Sequence, residues 1–349
     1  MEKRLLRAVM LVLIMLLVLP ALTAAGTAER AVVRETYGIA VFVPGVVAGS
    51  PLYELMVAGT EQAAAEYAHV TVRVIEGGFN QAEWEERIMA IAATGQYDLI
   101  VTSNGAMPFV ALPVAEAFPN QKFLILDAIF EHPQMFTVLY NQFEQAYQVG
   151  YLGGLITQST MAGANPAARR LGMLAGQEYP AMDDMIFPGF VAGAKAVDPE
   201  IVVDYRVLGN WYDATRAAEI TRSMIDAGAD VIMTAAGGAN QGVITAAMEL
   251  GKYVLYVDDY GYHLGPGTVV GSSVLRQDQA AYENIVAAVE GTLEWGTALI
   301  LSTADGYVDF IDDSPRYVDA VAADVRADMD AMLTRMRSGE LALDVPKFW

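Results

Sequence analysis

The side chains with most to offer chemically in this sequence stand at the ends of apolar runs. Asp258 closes the run Tyr253–Val257, and Asp127 closes Phe123–Leu126. A carboxylate in Asp258's place can accept hydrogen bonds from two vicinal sugar hydroxyls, which suits a ligand pocket. Asp258-Asp259 and Asp183-Asp184 are also paired carboxylates that could serve acid–base chemistry or a metal. Asp183-Asp184 precedes a helical window at Met185, so helix capping is the expectation there. Aromatic residues cluster near the same run ends: Tyr53, Trp211-Tyr212, Tyr260 and Tyr262. Flat rings at a cleft can sandwich a base or a pyranose, at roughly 1–3 kcal/mol per stacked ring. Trp84 and Trp295 fall in helical windows away from these ends and read as structural. The glycine-rich Gly237-Gly238-Ala239-Asn240-Gln241-Gly242 follows an apolar run and opens a helical pattern. It could seat a phosphate on backbone amides, or merely make the turn, and it has no lysine. No GxSxG elbow, Walker A motif or HExxH pair occurs, so enzyme chemistry has no recognised scaffold here.

The elements that must hold these residues alternate strand and helix. Short β-rich runs are expected at Tyr37–Val43, Val70–Glu76, Leu99–Thr102, Phe123–Leu126, Leu171–Leu174, Ile201–Val207, Val231–Thr234, Tyr253–Val257 and Val269–Val274. Several are apolar throughout, as buried parallel strands are. Helical windows separate them, from Leu52–Tyr67 to a last charged amphipathic stretch, Asp319–Arg337. Two half-repeats emerge, Tyr37 to Leu126 and Leu171 to Val257. "TGQYDLIVTSNG" (Thr94–Gly105) matches "AGADVIMTAAGG" (Ala227–Gly238) in pattern. Duplicated α/β halves predict two similar lobes facing one another. Ligands in such sheets bind beyond the carboxyl ends of the strands, which puts Asn104, Asp127, Gly237 and Asp258 on the expected rim. Lobe 1 is expected over about 35–140 plus 262–295, and lobe 2 over 141–261 plus 296–349.

Composition narrows the function classes. The chain has a net charge of −21 with its basic residues dispersed, which speaks against nucleic acid as a partner. It has no cysteine and three separated histidines, so disulfides are excluded and a metal site is not expected. Residues 1–25 read as an export signal: Lys3, Arg4 and Arg7, an apolar run, then small residues before a cut near Ala25. Leu22-Thr23-Ala24-Ala25-Gly26 has the form of a lipoprotein box with alanine in place of the acylated cysteine. The mature chain is therefore expected in the periplasm or at the cell envelope, without a lipid at Ala25.

Longer phrases carry a resemblance. "KFLILD" (Lys122–Asp127), "VLYNQFEQAYQVGYLGGLIT" (Val138–Thr157), "GFVAGAKAVDPEI" (Gly189–Ile201) and "GNWYDATRAAEITRSMIDAGADVIMTAAGGANQGVITAA" (Gly209–Ala247) all contribute. Together they resemble the basic membrane protein family of ABC-transporter substrate-binding proteins, whose best-known members are purine nucleoside receptors. The resemblance covers about Tyr37 to the C-terminus. It implies an α/β fold of two Rossmann-like lobes with parallel sheets, the type I periplasmic binding protein. It further implies a nucleoside or similar ligand between the lobes, no cofactor, a monomer, and delivery to an ABC permease in the inner membrane. Carried onto this chain, Asp127 faces a base or other polar edge and Asp258 the ribose hydroxyls. Trp211 and Tyr53 match family aromatics. Arg276 stands where the family has a lysine, which keeps the charge but offers a planar fork. Pro44 occupies the place of a base-reading aspartate, and Ile186 that of a phenylalanine, with Phe187 displaced by one. The expected ligand-binding set is thus Tyr53, Asn104, Asp127, Trp211, Gly237, Asp258 and Arg276. The competing readings are a sensor domain that imports nothing and a nucleoside hydrolase using Asp258-Asp259.

Overall fold

Apolar runs too hydrophobic to face water on either side become the inner strands of two six-stranded sheets. A computed structural model describes residues 36–347, so the expected export signal and Ala25 lie outside the described residues. The first sheet holds β1 (Tyr37–Val43), β2 (Val70–Glu76), β3 (Leu99–Ser103), β4 (Lys122–Leu126), β5 (Met135–Tyr140) and β11 (Ala298–Leu301). Their order is β11-β5-β4-β3-β1-β2, and every neighbouring pair is parallel. The second sheet repeats the plan as β12-β10-β9-β8-β6-β7. Its strands are β6 (Arg170–Ala175), β7 (Val202–Val207), β8 (Val231–Ala235), β9 (Tyr253–Asp258), β10 (Val269–Leu275) and β12 (Val308–Phe310). Only β12 runs antiparallel to its neighbour.

Helices cover both faces of each sheet, as parallel pairing requires. Lobe 1 carries α1 (Pro51–Ala65), α2 (Trp84–Ala93) and α3 (Met107–Ala117). Lobe 2 carries α4 (Gln142–Gln158), α5 (Phe187–Val197), α6 (Ala214–Asp226) and α7 (Asn240–Glu249). Local signals set their ends. Pro51 sits in the first turn of α1, and the Asn141 and Asp213 side chains accept the Glu144 and Arg216 amides to cap α4 and α6. The two half-repeats are structurally equivalent. Gly95 and Gly228 end corresponding helices at positive φ, and the following strands, β3 and β8, hold the same place in their sheets.

The chain passes between sheets three times: after Tyr140, after Leu275, and between Leu301 and Val308. α8 (Gln277–Val289) packs on α1, with Ala280, Ala281 and Ile285 in one apolar cluster with Met56 and Ala63. These crossings come later than the boundaries near 262 and 296 suggested by pattern, because β10 stays with the second sheet and β11 returns to the first. Nothing local distinguishes a strand that pairs in one sheet from one that pairs in the other. Strands β5, β11 and β12 and helix α8 have no counterpart in the expected element order. The last helical window divides into α9 (Pro315–Ala320) and α10 (Ala323–Arg337) around Val321. Trp295 is not helical; it lies in the turn before β11, with the Lys122 ammonium 5.3 Å from its ring centre.

Candidate functional site

Non-glycine residues with left-handed backbones mark the rim. Among the described residues these are Asn104, Asp127, Arg169 and Asp258, and three of the four stand at the carboxyl ends of β3, β4 and β9. Such conformations cost of order 1–3 kcal/mol and persist where the surroundings hold them, commonly at ligand sites. β4 and β9 are equivalent strands of the two lobes, so the duplication that built the fold also places Asp127 and Asp258 as a matched pair.

Both carboxyls of the pair are driven toward the protonated form. Burial, reinforced by the Asp258 charge, pushes the Asp127 carboxyl up to about 8. Burial also lifts Asp258 to about 6, against a lowering hydrogen bond from Gln145 and with Asp259 adding to the rise. Gln145 Nε2 donates to Asp258 Oδ1 at 3.2 Å and to the Ser273 carbonyl at 3.2 Å. No donor among the described residues reaches the Asp127 carboxylate. Tyr53, on α1, donates to the Pro44 carbonyl at 3.3 Å. Burial and the Asp127 charge raise its phenol well above the ordinary value, while an Asn104 side-chain hydrogen bond works the other way. Asn104 also accepts the Ala106 amide at 2.9 Å, which fixes its side chain over the start of α3.

Trp211 is held by one hydrogen bond and by close packing. Its Nε1 donates to Gln177 Oε1 at 2.9 Å, and its six-membered ring lies on Gly176, where any Cβ would strike it. Gly237, at positive φ, lies beneath the same ring, and a Cβ there would stand 3.6 Å from Cε3. Gly237 thus serves Trp211 and the turn after β8. Tyr179 lies 6.1 Å from Trp211, ring centre to ring centre. Its burial, together with the charges of Asp127 and Asp258, keeps its phenol protonated. Arg276 follows β10 half-buried, with no side-chain partner among the described residues.

The remaining aromatics divide. Tyr262 is fully buried in lobe 2 and donates to the Ile311 carbonyl, and Tyr260 pairs with Ser314 and stacks on His263. Tyr262 is thereby enclosed in lobe 2, whereas Tyr260 stays half-buried with its hydroxyl tied to Ser314. Tyr212 is 66% exposed and meets Phe79 of lobe 1 at 5.7 Å, so this pair bridges the mouth of the cleft. Gly49 and Gly238 also approach across it. Asp183-Asp184 caps no helix: it lies inside a π-helical turn, Met182–Ile186, where Asp183 accepts the Tyr205 hydroxyl. Trp84 is buried and donates to the Gly78 carbonyl, as befits a structural residue. Tyr179, Phe79 and Gln145 also stand against the candidate residues, outside the set expected from the sequence. For Gln145 a signal existed, since polar residues at one-turn spacing inside an otherwise apolar, glycine-rich helix demand buried partners.

A family described as "ABC transporter substrate-binding protein PnrA-like" matches residues 37–338. The transcriptional activator protein med of Bacillus subtilis is 32% identical over 186 residues, covering 52% of this chain and 54% of that protein. Basic membrane protein A of Borreliella burgdorferi is 25% identical over 61% of this chain and 62% of its own length. The chain thus spans about half the length of the first of these relatives. Among solved structures, an ABC-transporter solute-binding protein from Aeropyrum pernix K1 superposes with a TM-score of 0.76 at 20% identity, covering 89% of this chain and 94% of that one. A transcriptional activator of the comK gene from Bacillus halodurans gives 0.67 at 20% identity, over 88% and 99%. At that identity the likeness establishes a shared fold of two lobes with mostly parallel sheets.

Proposed function

Because the chain belongs to the PnrA-like family of ABC transporter substrate-binding proteins, a family of receptors and not of enzymes, we propose that it captures a nucleoside or closely related small polar solute between its lobes and delivers it to an ABC permease at the cell envelope. The observation that carries this reading is the matched pair Asp127 and Asp258 beside Trp211. A ring stacked on Trp211 would direct its polar edge to Asp127 and vicinal hydroxyls to Asp258. Tyr53 and Asn104 close the lobe 1 side, and Arg276 stands just past the end of β10. A carboxyl held protonated, as Asp127 is near neutral pH, can donate to a base nitrogen or carbonyl as well as accept. With Pro44 in place of a carboxylate, the base is read by fewer charged groups, and the pocket favours neutral, donor-rich ligands.

The test is a thermal-shift and calorimetric panel of adenosine, guanosine, inosine, cytidine, uridine, free bases and monosaccharides. A nucleoside at about 100 times its dissociation constant should add roughly 2.7 kcal/mol of stability. Stabilisation by a monosaccharide or peptide with none by any nucleoside would overturn the ligand assignment. The Bacillus subtilis relative's name supports a second reading, a receptor whose occupancy is passed to a regulatory partner. Uptake of labelled inosine by cells lacking the gene separates the two: lost uptake supports import, and unchanged uptake with binding retained supports regulation. Recovery of the processed protein from the soluble envelope fraction, with no acyl chain by mass spectrometry, tests the expected unlipidated export.

A further inference from the structure

α4 presents polar side chains to the protein interior at one-turn spacing. Glu144, Gln145 and Gln148 are all buried, and each is paired. Glu144 accepts the Thr303 amide at 2.8 Å and the Leu343 amide at 3.3 Å. Gln148 donates to Thr303 Oγ1 at 3.0 Å and accepts the Ser273 hydroxyl at 2.7 Å. Gln145 spends one amide hydrogen on the Ser273 carbonyl and the other on Asp258. The Ser273 carbonyl belongs to β10, and β10 pairs with β9, which ends in Asp258. One bond therefore fixes the amide plane against the sheet, and that plane aims the second hydrogen at the carboxylate.

We propose that Gln145 is a positioning residue of the binding site: anchored on β10, it holds the Asp258 carboxylate in the orientation that receives the solute. The proposal rests on the reading of Asp258 as a solute contact. Asp258 has a left-handed backbone, so its side-chain direction is set by neighbours and not by strand geometry. The titratable groups that face it are Asp127 from β4, the adjoining Asp259, and the phenols of Tyr179 and Tyr256. All four are acids, and against them Gln145 supplies the hydrogen bond that favours the ionised form of Asp258. The Gln145 side chain connects onward through Ser273 and Gln148 to Thr303, between β11 and β12, where the chain crosses between lobes. The device that orients Asp258 is thereby rooted in the connection that must flex when the cleft opens.

The test uses Gln145→Met, which keeps the volume and removes the donor, and Gln145→Glu, which substitutes a carboxylate. Carbon-detected NMR follows the Asp258 carboxyl in the unliganded full-length protein, and calorimetry follows inosine affinity from pH 5 to 9. In Gln145→Met the Asp258 titration should move up by about one pH unit from the wild-type value, and inosine should bind about threefold more weakly near pH 6.5 and close to tenfold more weakly at pH 5. The affinity loss should shrink at higher pH, because Asp258 is then ionised in both proteins. A purely structural residue would weaken binding equally at every pH. Gln145→Glu should move the titration further in the same direction. A titration and a pH profile that coincide with the wild type would overturn the proposal. If inosine fails to bind the wild-type protein, the nucleoside reading falls and the Asp258 titration alone still decides the role of Gln145. Should Gln145→Met not fold, Gln145→Asn, one methylene shorter, must show the same upward movement.

Discussion

Replacing Asp127 with asparagine should stabilise the unliganded protein, and the gain should grow with pH. In the folded chain the Asp127 carboxyl is pushed from the ordinary 3.8 up to about 8 by burial and by the Asp258 charge. In the unfolded chain it ionises at about 4. Between these limits the folded state holds a proton that the unfolded state releases. Folding therefore loses stability as pH rises through the window, and the loss levels off above about pH 8. Each tenfold change in proton affinity between the two states is worth about 1.4 kcal/mol, so the full window sets an upper bound of about 6 kcal/mol. The carboxyl keeps some solvent contact and shares its field with Asp258, which together reduce the working figure to about 2 kcal/mol at pH 8. Asparagine also tolerates the left-handed backbone at this position. Urea titrations of both proteins at pH 4.5, 6, 7 and 8 measure the difference. It should be under about 1 kcal/mol at pH 4.5 and reach about 2 kcal/mol at pH 8, or roughly 4–8 °C in melting temperature for a lobe-sized unit. A difference that is constant with pH, or an asparagine variant less stable throughout, would refute the account, because Asp127 would then be serving the fold as an ionised acceptor.

Four other outcomes follow from the same geometry. Trp211→Ala should weaken nucleoside binding by about 1–3 kcal/mol in calorimetry while moving the melting temperature little, and unchanged affinity would remove Trp211 from the site. Gly176→Ala should perturb the near-ultraviolet signal of Trp211 and lower affinity, since the new methyl occupies the space of the ring. Phe79→Ala should relax the contact with Tyr212 across the cleft mouth, worth about 0.5–1.5 kcal/mol, and enlarge the unliganded radius of gyration in small-angle scattering. Asn141→Ala removes both the cap of α4 and a 2.8 Å hydrogen bond to the Leu343 carbonyl, and should cost about 1–2 kcal/mol in urea titration.

Much of the candidate site is legible because strand ends are legible. Asp127 and Asp258 each terminate a run too apolar to be anything but an inner strand, and ligands collect beyond such ends. Asn104, Trp211 and Gly237 follow from the same rule. The aromatic residues after β9 share that position yet differ in use. Tyr262 turns fully inward and Tyr260 stays half-buried, their hydroxyls held by the Ile311 carbonyl and by Ser314, some fifty residues later. Periodicity reports which face of an element is apolar and is blind to which distant groups will satisfy a phenol. Asp183-Asp184 departs from its expected capping role for a related reason. The chain inserts a π-helical turn there, and Tyr205 from β7 takes the carboxylate.

By itself the sequence determined the α/β class, the duplication, and the strand ends on which chemistry could sit, because hydrophobic periodicity and turn residues act over a few neighbours. Only the tertiary structure decided where the chain changes lobes. β10 pairs with β9 and β11 with β5, and such pairings depend on which strand lies alongside in space. It also decided that two carboxylates more than a hundred residues apart share one field, and that a glutamine inside α4 aims one of them. Charge interaction and buried hydrogen bonding depend on distance in space, and no local pattern in the chain encodes that distance.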